Sequence, residues 1–187
     1  MIQIFLSRNP MEKKERVKVW LEISIDGKKT GVLEYVLFND IVPKTSENFR
    51  ALCTGELGEG QSGKKLHYKN SVIHRIVGEL MFQGGDITRH NGTGGESIYN
   101  GKFEDENFAI THTKRGLLSM ANGGPDTNGS QFFCIFNEAP WLDGHHVAFG
   151  ELVDGFEVLE KIENSGSRHG IPNCKLEITD CGERGLG

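Results

Sequence analysis

Val17 to Phe38 reads VKVWLEISIDGKKTGVLEYVLF, and this stretch decides the fold class. Val17, Val19, Leu21, Ile23 and Ile25 alternate with Lys18, Trp20, Glu22 and Ser24, the period of two of a strand with one buried face. Asp26-Gly27-Lys28-Lys29 then reads as a turn, and Gly31 to Phe38 is again rich in β-branched and aromatic residues, so the stretch predicts a β-hairpin. Short apolar runs recur between glycines farther on, over 72–76, 80–82, 117–120, 132–136 and 146–149, with a last strand over 175–179. Evenly spaced short strands of this kind predict a closed barrel or a sandwich. Two segments keep helical spacing instead. One runs from Val42 to Cys53, with Pro43 in its first turn and Gly55 after it; the other runs from Gly155 to Glu163, with Phe156, Leu159 and Ile162 on one face.

The chain has 187 residues, which suits one domain with a single core and would cramp two. There are 25 glycines against 5 prolines with no fixed period, as expected where many tight turns join short strands. A formal net charge of −5 gives no reason to expect nucleic acid as a partner. No apolar run approaches the roughly 18 residues of a membrane span. Residues 1–14 read as a flexible N-terminal extension, within which Met11 is an alternative start, and residues 15–187 as a single domain. The first residues, MIQIFLSRNP, lack the basic opening and the small-residue cleavage site of a secretory signal. Four cysteines without dense spacing point to a reducing compartment, so the expected location is the cytoplasm.

Several chemistries are set aside on spacing. The seven histidines form no HExxH and the cysteines no CxxC, so no metal site and no cofactor are expected. His145 and His146, if on a strand, face opposite ways. Gly58-x4-Gly63-Lys64 approaches a phosphate-binding loop, but Lys65 stands where a hydroxyl must hold magnesium. Ser119 and Ser130 lack the GxSxG elbow of a hydrolase. Asn91-Gly92-Thr93 and Asn128-Gly129-Ser130 match a glycosylation pattern, but turn chemistry explains them more simply.

What remains has no obvious nucleophile or general base. Arg75 lies among Val72, Ile73, Ile76 and Val77, a costly place for a permanent cation without a partner. A structural ion pair or a snorkelling stem also explains Arg75 taken alone. Gln83 shares a strand face with Met81, and Gln131 with Phe133, while Phe132 points the other way. A cation, amides, a methionine and aromatics bracketed by glycines suggest a shallow apolar pocket rimmed by donors that recognise an amide.

Five segments carry a resemblance to a known family: ENFRALCTGE (47–56), HRIVGELMFQGGDITRHNGTGG (74–95), KFEDENF (102–108), LLSMANGGPDTNGSQFF (117–133) and WLDGHHVAFG (141–150). They closely resemble the cyclophilins, the peptidyl-prolyl cis/trans isomerases, and the likeness runs from about Val17 to Gly182. It implies a mainly β fold, a closed eight-stranded antiparallel barrel capped by two helices. It implies an enzyme that turns X-Pro bonds in proteins and assists their folding, working as a monomer on proline-containing peptides and inhibited by cyclosporin. Arg75 would be catalytic. Leu80, Met81, Phe133 and Leu142 would line the proline pocket with His146 at its edge; Gln83, Asn122 and Gln131 would hold the substrate backbone; His74, Gly92, Ala121, Gly123 and Trp141 would complete the groove. Two other readings of the same fold stay open: a module that only binds proline-containing partners, and a holding chaperone with little turnover.

The chain departs from the family at Gly78-Glu79-Leu80, where Pro-Gly-Phe is common, so the pocket loses an aromatic wall and gains a charge at its mouth. The loop from Gly58 to Leu66 resembles that of the divergent-loop subgroup, whose two cysteines and glutamate are matched by Cys53, Cys181 and Glu96. That resemblance implies that Glu96 accepts hydrogen bonds from loop amides, and that a disulfide between Cys53 and Cys181 would break this latch. Two buried, inert thiols are the alternative.

Overall fold

The structure, a computed structural model, describes residues 14–185. The arm read over residues 1–14 lies outside the described residues except for its last position. Eight strands are present: β1 (Lys18–Ile25), β2 (Lys28–Leu37), β3 (Ser71–Val77), β4 (Met81–Gly84), β5 (Leu117–Met120), β6 (Phe132–Ile135), β7 (Ala148–Asp154) and β8 (Leu176–Glu183). They close into an antiparallel barrel in the order β1-β2-β7-β5-β6-β4-β3-β8, joined by the helices α1 (Pro43–Thr54) and α2 (Phe156–Asn164).

The opening hairpin forms because Asp26 and Gly27 take φ of 49° and 76°, the left-handed pair of a two-residue turn whose twist matches the strands. Lys28 therefore already pairs with Ile25, and the turn is shorter than the four residues read from the sequence. Val19, Leu21 and Ile23 are fully buried, as their alternation predicts. β8 closes the barrel on the other side of β1, pairing Leu21 with Cys181.

α1 starts at Pro43, whose missing N–H suits the first turn. The next two amides, of Lys44 and Thr45, donate to the Glu106 carboxylate at 3.0 and 2.8 Å, so a distant loop caps this helix. Gly55 ends it in the left-handed conformation with its N–H on the Ala51 carbonyl. Phe49 plugs one end of the barrel, 5.1 Å from Tyr68, 5.1 Å from Phe132 and 5.0 Å from Phe149 between ring centroids.

Two expectations change. The strand read from His146 begins only at Ala148, so His145 and His146 sit in a turn and the alternation argument does not apply to them. Leu80, read as the start of a strand, belongs to the β3–β4 turn instead.

Candidate active site

Three neighbouring strands set the site. Arg75 on β3 faces Gln83 on β4, and Gln83 in turn faces Phe133 on β6. Residues paired in this way project from the same side of a sheet, so the three side chains form a row across the outside of the barrel. The β3–β4 register shifts between Ile73 and Arg75, and such a bulge re-aims a side chain. Phe132, one residue away, is fully buried inside the barrel.

Along this row lies a hollow of about 310 Å³ lined by Arg75, Leu80, Met81, Gln83, Ala121, Asn122, Phe133, Leu142 and His146. Met81 and Phe133 are its buried apolar floor, each 5% exposed. His146 stands edge-on to Phe133 at 5.2 Å, and its Nδ1 lies 2.8 Å from the Met120 carbonyl, so Nδ1 carries the proton. No hydrogen bond or ion pair engages the Arg75 guanidinium among the described residues, which removes the ion-pair explanation. The stem of Arg75 packs on Gly170, where an added Cβ would stand 3.3 Å from Arg75 Cγ.

The amides are held in place. Gln131 donates to the carbonyls of Gly92 and Gly94 at 2.9 and 2.8 Å, and its oxygen accepts from Gln83 at 2.9 Å. Asn122 donates to the His145 carbonyl at 2.8 Å. Gln83, Ala121 and Asn122 are shared with a second hollow of about 240 Å³, which Gly92, Gly123 and Gln131 also line. Lys102 and Thr127 line it too, and neither was singled out from the sequence.

The loop that carries Gly92 is organised by Asp86, a fully buried carboxylate. It accepts from the backbone N–H groups of Arg89, Asn91, Gly92 and Gly94 at 2.9 to 3.1 Å. Burial alone would raise its pKa, but these donors outweigh burial and hold the carboxyl well below the usual carboxylate range.

Other expected site residues lie outside both hollows. His74 is half-buried behind Gly92, and burial pushes its pKa down. Trp141 is 64% exposed on a short 3-10 turn, Pro140–Leu142, beside the pocket residue Leu142. Glu96, buried, accepts from the Ser62 hydroxyl and from the Ser62 N–H at 3.3 Å. Cys53 on α1 and Cys181 on β8 are buried and unpaired. Burial pushes the Cys53 thiol well above its ordinary value and the Cys181 thiol up to about 12.

Spacing gave no hint of one further group. His112 Nδ1 lies 2.7 Å from Asp143 Oδ1, and its Nε2 lies 2.8 Å from the hydroxyl of Ser119. Ser119 sits directly across from Phe133 on the neighbouring strand, and the His112 ring stacks on Phe133. Among the described residues no three His, Cys, Asp or Glu side chains are grouped to hold a metal ion, and no helix is long and apolar enough to cross a membrane. Residues 20–183 match the family model described as cyclophilin type peptidyl-prolyl cis-trans isomerase/CLD.

Proposed function

The chain belongs to the cyclophilin-type peptidyl-prolyl cis-trans isomerases, and we propose that it turns X-Pro bonds at the hollow beneath Arg75, with Arg75 as the catalytic residue. One observation carries this reading: a guanidinium without a partner among the described residues, on the rim of an apolar hollow floored by Met81 and Phe133.

The barrier to turning a peptide bond is about 18–20 kcal/mol because the nitrogen lone pair is delocalised into the carbonyl. Twisting the bond frees that lone pair. A guanidinium N–H aimed at the prolyl nitrogen bonds it only in the twisted state, so the interaction is stronger at the transition state than in either ground state. Bringing an isomerisation of tens of seconds to about a millisecond removes roughly 6 to 7 kcal/mol from the barrier. A charged hydrogen bond supplies about 1.5 to 3 kcal/mol of that. Anchoring the ring on Phe133, Met81, Leu80 and Leu142, while Gln83, Asn122 and Gln131 hold the substrate backbone, supplies the rest by fixing one side of the bond. His146 bounds the pocket. His74 backs the loop at Gly92, and Ala121, Gly123 and Trp141 extend the groove.

The test is a coupled assay on an Ala-Pro peptide. Arg75→Ala should lower kcat/KM by about ten- to hundredfold with peptide binding retained, and Phe133→Ala should weaken binding as well. Parental turnover in Arg75→Ala sinks the mechanism. It would favour instead a module that only binds proline segments, or a holding chaperone.

The same reading extends to folding assistance and to cyclosporin as a competitive ligand, supported by the exposed Trp141 next to Leu142. It also takes residues 15–187 as one domain, acting as a monomer in the cytoplasm; the four unpaired cysteines favour a reducing compartment. The loop contact of Glu96 supports a place in the divergent-loop subgroup, with Cys53 and Cys181 as its redox pair.

A further inference from the structure

Leu142 reaches the pocket from a three-residue 3-10 turn that belongs to no strand of the barrel. Phe133 reaches it from β6. The two walls must keep a fixed distance if a proline ring is to seat between them, and one side chain links them. The backbone N–H of His112 donates to Asp143 Oδ1 at 2.8 Å, its Nδ1 meets the same oxygen at 2.7 Å, and its carbonyl accepts from the Ala139 N–H at 2.9 Å. These bonds grip the turn at both of its ends. On the other side, Nε2 meets Ser119 Oγ on β5 at 2.8 Å. The ring lies nearly parallel to that of Phe133, 13° between planes and 6.1 Å between centroids.

We propose that His112 is the positioning residue of the proline pocket, setting the Leu142 turn and the plane of Phe133 relative to each other through its bonds to Asp143 and Ser119. With Nδ1–H donating to the carboxylate, Nε2 accepts from the Ser119 hydroxyl, and both ring nitrogens of His112 are used. The order Ser-His-Asp is that of a hydrolytic relay, but Ser119 is 0% exposed and His112 1%, so no substrate carbonyl reaches the hydroxyl. The carboxylate end alone meets solvent, with the Asp143 side chain 31% exposed. A residue that merely filled the core would not need bonds at both ring nitrogens and both backbone groups.

Because the inference rests on the Arg75 hollow as the isomerase site, the experiment reads peptide affinity and turnover separately. KM, kcat and the Kd of one Ala-Pro peptide are measured for the parent, Arg75→Ala, His112→Phe, Asp143→Ala, Asp143→Asn and the double variant His112→Phe/Asp143→Ala. His112→Phe keeps a ring against Phe133 and loses both side-chain bonds. KM and Kd should rise about tenfold in His112→Phe and in Asp143→Ala, and kcat should fall alongside, because the displaced walls both bind the ring and fix one side of the twisting bond. Arg75→Ala, by contrast, should lower kcat with Kd retained. Asp143→Asn, which keeps an acceptor oxygen, should recover most of that affinity. The double variant should be no worse than the weaker single one, as expected of groups acting as a unit. Parental Kd in both single variants, or losses that multiply in the double variant, would overturn the proposal. If His112→Phe fails to fold, Asp143→Ala set against Asp143→Asn decides the matter from the part-exposed side. Parental turnover in Arg75→Ala would strike at the isomerase reading alone, since the Kd comparison still reports on the clamp.

Discussion

Glu79 takes φ of 64°, a left-handed conformation that crowds the Cβ of any residue but glycine. The turn holds it there: the Leu80 N–H bonds the Val77 carbonyl at 3.1 Å, and the Asn137 amide donates to the Glu79 carbonyl at 2.7 Å. Nothing in the pocket requires the glutamate side chain, which is exposed. Glu79→Gly should therefore stabilise the protein by about 1 kcal/mol and raise Tm by about 3 °C. A melting curve that stays put or falls would show that the turn is not strained. The same turn bears Leu80, which lines the hollow.

At the scale of the element, one loop is organised by a buried carboxylate. Asp86 gathers the amides of residues 89–94, which in turn present the carbonyls that fix Gln131. Its folded pKa is depressed, so its contribution is present above the unfolded value near 3.9 and is lost as pH falls toward the folded one. Urea midpoints of the parent should thus fall steeply below about pH 4, and Asp86→Asn, costing about 2 to 3 kcal/mol at neutral pH, should flatten that fall. Parallel acid profiles for the two proteins would refute the assignment. Glu96 accepts from the N–H and the hydroxyl of a single residue, Ser62, of the loop at 58–66. That loop leads to residues 67 and 68, which grip the end of α1 through His67 on the Cys53 carbonyl and the Tyr68 N–H on the Leu52 carbonyl. A Cys53–Cys181 disulfide, formed by loss of two protons and of two electrons to an added oxidant, would pull on this junction. Both thiols are kept protonated by burial, so oxidation should be slow and should speed up as pH rises. Prolonged peroxide treatment should lower isomerase turnover in the parent and leave Cys53→Ser unaffected; equal oxidised and reduced rates would leave two inert thiols.

For the whole molecule, the alternation of a single strand separates stability from binding. Phe132 points inward to the ring cluster of Phe49, Tyr68 and Phe82, while its neighbour Phe133 points outward to the pocket. Phe132→Ala should cost about 3 to 5 kcal/mol in urea unfolding while kcat of the folded fraction changes little. Parental stability in that variant would mean that the aromatic plug does not join helix to barrel. Much of this was legible in the chain. Period-two runs and an Asp-Gly turn are local signals, so the hairpin, the short strands and both helices could be read before any contact was known, with errors only at strand ends such as His146. Arg75, Gln83 and Phe133 could also be picked out, because a cation and amides on apolar strand faces stand out by type. What decided their neighbourhood was pairing between strands far apart in the chain. The bulge before Arg75, the buried role of Asp86 and the joining of residues 112, 119 and 143 around one imidazole depend on which backbone groups meet across the closed barrel, and no spacing along a chain encodes a distance through space.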